Sequence, residues 1–217
     1  MSNAARRLDA FTDAAFAFAL TLFVAGGDSV RIDAATLDAV VSAIPAFAIG
    51  FAIIAMFWHA HVRWREMRGD GDWRSTLLTL ALLFAVLAFV QPLRAMSASF
   101  ADFLTGTADE GTASLSQIFA TYGVGFVVMS LLTLALLRDG LRRPDLDPLV
   151  RHDTQGEMAI WSILAATGIV SVMFALGDRL QVLAPIIYAT LPITIGGFSW
   201  WWFGKRRTRI EAGQDAV

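Results

Sequence analysis

The sequence predicts an all-α integral membrane protein with six transmembrane helices per subunit and both termini in the cytoplasm. Three observations carry that expectation. Of 217 residues, 56% are hydrophobic and 17% charged, against about 25% charged in soluble domains, and the mean hydropathy is +0.59. Six stretches reach the roughly 20 mainly apolar residues that a helix needs to cross a hydrocarbon core. Arginines gather in alternate connections between those stretches.

The expected spans are about 6–25, 39–62, 73–100, 115–137, 157–177 and 182–203. The first is no cleavable signal peptide, because Gly26-Gly27-Asp28 lacks a small-x-small site and Asp13 interrupts the apolar region. Asp72 is a candidate N-cap for the third span. Pro92 follows the apolar run from Leu77 to Val90 and should kink or end that helix. Capping boxes, Ser114-x-x-Gln117 and Thr154-x-x-Glu157, precede the fourth and fifth spans. The sixth contains Pro185, Pro192 and Gly196-Gly197, which predicts a bent or closely packed helix. Residues 1–217 read as a single six-helix transmembrane domain, with no repeat, linker or soluble module.

Charge placement predicts orientation. Arg6 and Arg7 precede the first span. Arg63, Arg65, Arg68 and Arg74 separate the second and third, and Arg138, Arg142, Arg143 and Arg151 the fourth and fifth. Lys205, Arg206, Arg207 and Arg209 follow the sixth, while only Arg31, Arg94 and Arg179 fall on the other side. The positive-inside rule puts both termini in the cytoplasm. Trp200-Trp201-Trp202 reads as an interfacial aromatic belt, with Trp58 and Trp64 at the same level. Arg94 is expected to snorkel or to pair with an outer acid such as Asp102. With no cysteine there is no disulfide, thiolate metal site or thiol nucleophile.

The chemistry concentrates in the first span, Arg7-Leu8-Asp9-Ala10-Phe11-Thr12-Asp13. A carboxylate at membrane depth costs roughly 2.5–3.5 kcal/mol on insertion scales and marks a functional or assembly site. At 100° per residue, Phe18, Thr21, Leu22 and Ala25 share one arc with Phe11, and Asp13 lies about 140° from Phe18. Asp9 can reach water or Arg6, whereas Asp13 needs a partner on another helix. The second span ends Trp58-His59-Ala60-His61-Val62-Arg63, so a histidine or arginine there is the expected donor. A structural clasp is the leading reading, with a proton relay or ion ligand as its rival. The two histidines diverge by about 200° and form no metal site. Thr21 either bonds its own i−4 carbonyl or contributes to a ring of hydroxyls around a symmetry axis.

These residues carry a resemblance. Arg7-x-x-x-Phe11-Thr12-Asp13 followed by Ala17-x-x-x-Thr21-Leu22 resembles the R-x-x-x-F-[ST]-D signature of the transmembrane protein 175 family. Phe57-Trp58-x-x-His61 is similar to that family's F-W-x-x-H-H pattern, with Val62 in place of the second histidine. The resemblance implies a prokaryotic relative of the potassium channels of endosomes and lysosomes. It implies a homotetramer whose pore is lined by four copies of the first helix, without a re-entrant selectivity loop. Phe18 would form the first hydrophobic constriction, Leu22 and Ala25 the next layers, and Thr21 the layer tied to potassium preference. Arg7, Phe11, Thr12 and Asp13 would pack with Trp58 and His61 as a structural network. Phe18 is bulkier than the family's usual Ile, and Ala25 smaller than its Leu.

What the resemblance implies is therefore a potassium-permeable cation channel in a prokaryotic plasma membrane, with no cofactor, no tightly bound metal and no nucleic-acid partner. Its partners would be copies of itself, the lipid bilayer and potassium ions. The alternative is a secondary transporter or proton-permeable pathway in the same frame, but the two halves show no inverted pairing. An enzyme would want a convergent nucleophile, base or metal ligands within the spans, and these are missing.

Overall fold

A computed structural model describes the backbone of residues 3–25, 34–105, 112–177, 180–181 and 183–214. Side chains are also undescribed at 25, 34–40, 42–43, 100–105, 112–115 and 205–214. The described chain is helical: α1 (Asn3–Ala25), α2 (Ala34–Arg68), α3 (Trp73–Thr105), α4 (Thr112–Gly140), α5 (Pro148–Ala175), α6 (Leu183–Ala189) and α7 (Leu191–Gln214). Five stretches are long and apolar enough to cross a membrane among the described residues: Ile44–Arg68, Trp73–Ser99, Ser116–Gly140, Pro148–Ala175 and Leu183–Gly204. The α1 helix is not among them. It carries Arg6, Arg7, Asp9 and Asp13 within its 23 residues.

Several expected boundaries move, each for a local reason. The α2 helix continues beyond Val62 to Arg68, because Trp64, Arg65 and Met67 are buried against the rest of the bundle. It stops at Gly69, whose φ of 66° only glycine adopts freely, and whose N–H closes the turn on Arg65 O at 3.0 Å. The α3 helix starts as expected: Asp72 Oδ1 accepts from Ser75 N–H at 3.0 Å. Pro92 does not end it, and the helix runs on to Thr105. Neither capping box lies at a helix start. Ser114 and Gln117 sit inside α4. The α5 helix begins at Pro148, where Asp147 accepts from Leu149 N–H at 2.6 Å and proline supplies a preset φ. Thr154 then lies two turns in and donates to Val150 O at 2.8 Å. The connection between α4 and α5 is thus short, and the chain is helical again from Pro148 onward.

The sixth span is bent as expected, to the point of two helices that meet at Thr190. Pro192 lacks an N–H and its ring excludes the carbonyl four residues earlier, so α6 cannot simply continue. A tight bond from Thr190 N–H to Ile187 O (3.2 Å) closes α6, and Thr194 N–H to Thr190 O (3.0 Å) opens α7. Close packing at Gly196-Gly197 is not found among the described residues: a Cβ on either would meet nothing there within 4 Å.

The core lies between α2, α3, α4 and α5, with α4 and α5 the most extensively packed pair. Small residues set that approach. A Cβ on Gly168 would lie 2.7 Å from Val127 Cγ2, and one on Gly123 2.5 Å from Val172 Cγ2. Helices that share a lipid solvent gain little from burying apolar surface, so close van der Waals packing of this kind holds them together. Aromatic contacts tie the layers: Phe57 meets Phe126 (5.9 Å between centroids) and Trp161 (5.0 Å), and Phe126 meets Tyr188 of α6 (5.9 Å). The α1 helix leans on α2 and α3 through Phe16, Ala19 and Phe23. Phe23 lies over Gly50, where a Cβ would stand 1.9 Å from its ring.

The aromatic belt is only partly as expected. Trp200 and Trp201 are exposed, but Trp202 turns inward to stack on His152 at 4.9 Å. Trp64 is fully buried beside His61 and is no interface residue. Arg31 and Arg179 lie outside the described residues, as do the side chains of Asp102, Lys205, Arg206, Arg207 and Arg209.

Candidate functional site

The α1 helix has two unlike faces. Ala5, Thr12, Phe16, Ala19 and Phe23 recur at helical spacing and are buried, so this stripe holds the helix to the bundle. The opposite side carries Phe11, 57% exposed, Phe18, 55% exposed, and Thr21, also exposed. Leu22 lies at the edge of that open face, half-buried against the core. The Ala25 side chain is outside the described residues. Thr21 Oγ1 donates to Ala17 O at 3.0 Å, the i−4 bond that satisfies a lone hydroxyl.

The two acids of α1, Asp9 half-buried and Asp13 exposed, reach α2 at its arginine-rich end. Trp58 Nε1 donates to Asp13 Oδ1 at 2.9 Å. The donor is thus an indole, not the expected histidine or arginine. One turn earlier, Asp9 meets Arg65 Nε at 2.6 Å, and neither water nor Arg6 is its principal partner. Arg6 bonds Asn3 instead. His61 is buried and shares a 3.1 Å hydrogen bond with Thr79 Oγ1 of α3. His59 faces outward, so the two histidines diverge as their spacing requires. Thr12 is buried and returns its hydroxyl to Leu8 O at 2.9 Å.

Of the six residues expected in one network, the fold joins Asp13 to Trp58 directly and sets Thr12 and His61 in the same packed seam. Arg7 and Phe11 it leaves on the exposed side. Three members were missing from the sequence reading: Arg65, Thr79 and, farther along, Asp139. Asp139 is 4% exposed and pairs with Arg68 Nε at 2.9 Å, joining α4 to α2. A signal for Arg65 existed, since Phe57, His61 and Arg65 are spaced four apart on one helical stripe. Asp139 had the same kind of signal, as a lone acid ending a long apolar run.

The surrounding arginines close helix ends. Arg143 Nη1 donates to Met67 O at 3.0 Å at the end of α2. Arg151 donates to Leu141 O (3.2 Å) and Arg143 O (3.0 Å) just past the end of α4. Cations favour these carbonyl-rich termini. Outside the spans, the carboxyl of Asp72 is held below the usual carboxylate range, chiefly by the backbone N–H of Ser75.

Such an architecture defines a multi-span helical membrane protein that is clasped by polar pairs at one end and leaves one face of α1 open. Residues 7–90 match the family model of the endosomal/lysosomal potassium channel TMEM175. A potassium channel from Marivirga tractuosa is 28% identical over 141 residues, which cover 58% of this chain and 57% of the relative's length. A variant of the potassium channel MtTMEM175, crystallised with a Nanobody-MBP fusion protein, has the same fold. It superposes with a TM-score of 0.73 over 94% of this chain and 93% of that one, at 22% identity. The chain is thus similar to the TMEM175 family over residues 7–90, it spans little more than half the length of the relative it matches, and it shares the fold of the solved channel.

Proposed function

We propose that this chain assembles as a homotetramer in a prokaryotic plasma membrane and conducts potassium along an axis surrounded by four copies of α1, which then counts as the sixth span. Phe18 and Leu22 form hydrophobic constrictions that gate by dewetting, Ala25 continues the wall, and Thr21 supplies the polar layer that favours potassium. The observation that carries this reading is the two-faced α1. Its inner stripe is buried in its own subunit, while Phe18 and Thr21 are exposed. The match to a potassium channel family over the part of the chain that contains α1 supports it further.

The Asp13–Trp58 and Asp9–Arg65 pairs hold α1 in register on α2, so they act in assembly and not in permeation. The test is a potassium-gradient flux assay in liposomes. Phe18→Ala widens the narrowest layer, and the expected result is faster flux with weaker potassium-over-sodium discrimination. Flux that is unchanged in Phe18→Ala removes this pore assignment. Saturable flux that requires a second, coupled ion supports a transporter instead.

A further inference from the structure

We infer that the arginine-rich end of the bundle binds a phosphate-bearing anion between Arg7 of α1 and Arg65 of α2. This inference uses the arginine-rich end of α1 and none of Phe18, Thr21 or Leu22, and it rests on the proposed assembly leaving that end open.

The Arg65 side chain is 8% exposed. Its Nε is used by Asp9 at 2.6 Å, but Nη2 is buried without any hydrogen-bond partner. Arginine cannot shed its proton to relieve that cost, so an unpaired arm of a buried guanidinium calls for an acceptor. The far end of the fork lies close against the α2–α3 connection: Nη1 is 3.2 Å from the point a Cβ would occupy on Gly71, a residue that borders the second cavity described below.

Two cavities meet at this guanidinium, and their charges differ. One, of about 300 Å³, is lined by Asp9, Asp13 and Glu66 as well as Arg65, and would repel an anion. The other, of about 460 Å³, is lined by Arg7, Leu8, Phe11, Arg65, Gly71 and Thr76, and no acid borders it. Arg7 makes no hydrogen bond or ion pair with the described residues, so its guanidinium is available. Two guanidinium groups on a cavity without carboxylates suit phosphate, whose oxygens accept paired N–H donors. Leu8 and the exposed ring of Phe11 give the cavity an apolar wall next to the charged groups. That combination accommodates the headgroup of an anionic phospholipid, and the same chemistry would accept free phosphate.

Thermal unfolding of the full chain in neutral detergent, followed by tryptophan fluorescence, tests the site. A ligand that binds only the folded state raises the unfolding midpoint by mass action. The probes are inorganic phosphate against chloride at equal ionic strength, and short-chain phosphatidylglycerol against short-chain phosphatidylcholine. The expected result is a midpoint raised by several degrees with phosphatidylglycerol, and Arg7→Gln should lose most of that shift while remaining folded. Arg65→Lys, which keeps the charge near Asp9 but loses the fork, should also lose it; if that variant fails to fold, Arg7→Gln decides alone. A shift with phosphatidylglycerol alone identifies a lipid headgroup, a shift with phosphate alone a soluble anion, and a shift with both a site open to either. No shift beyond the chloride and phosphatidylcholine controls, or an equal shift in Arg7→Gln, overturns the inference.

Discussion

Asp139 shows how a single acid can be worth more to this fold than its exposed counterparts. It is 4% exposed and is held by Arg68 at 2.9 Å, with Arg142 at 3.8 Å. Removing one partner of a buried pair strands the other charge and costs about 3–5 kcal/mol. Asp139→Ala should therefore lower the thermal midpoint sharply, and Arg68→Met in the same chain should recover part of the loss. Asp13 is the gentler case, because its Trp58 donor is partly exposed. Trp58→Phe should cost about 1.5 kcal/mol, the worth of one hydrogen bond to a charged group, and should loosen α1 while leaving α2–α5 packed. Hydrogen exchange localised to α1 checks this, and uniform loss of protection counts against the clasp. Asp72 adds a pH dependence at the acid end. Its folded carboxyl titrates below the unfolded one, so the cap contributes stability above the unfolded value and loses it as pH falls through the folded one. Asp72→Asn should flatten that acid limb of the stability profile.

Helices in this chain begin and end where a particular residue makes it cheap to do so. Gly69 stops α2 with a positive φ, Asp147-Pro148 starts α5, and Pro192 divides the last span. Two S/T-x-x-E/Q patterns looked like starts but fell inside helices, because a capping pattern binds only amides left without a carbonyl four residues back. Asp147 offered α5 an earlier start, and Thr154 then spent its hydroxyl on Val150 O. Helix contact is equally specific at Gly50, where the Phe23 ring occupies the space of a side chain. Gly50→Val should overpack the α1–α2 seam and cost about 1–3 kcal/mol. Phe23→Ala should restore much of the midpoint in the double variant; additive losses would mean that the two residues do not compete for one space.

For the whole molecule, the question is what covers the open face of α1. A helix that is buried on one stripe and bare on the other is half-packed, and Phe11, Phe18 and Thr21 lie on the bare side. The proposed tetramer gives that face an inside. Native mass spectrometry should count four chains, and Thr21→Val should lower potassium preference without abolishing flux. A monomer that carries potassium current through the same helix would break the link between face and assembly.

The sequence alone determined the class of protein, because length and apolarity of a stretch are local properties that the bilayer imposes directly. It also singled out the two acids of α1, since a carboxylate amid apolar residues is conspicuous in one dimension, and Asp9 and Asp13 are both partnered on α2. Which group answers each acid was decided only by the fold. Trp58, His61 and Arg65 all lie near the end of α2, and the crossing of α1 and α3 over it gave Asp13 an indole, Asp9 a guanidinium and His61 the Thr79 hydroxyl. Partner choice depends on where separate helices cross, and a crossing is set by packing of side chains far apart in the chain.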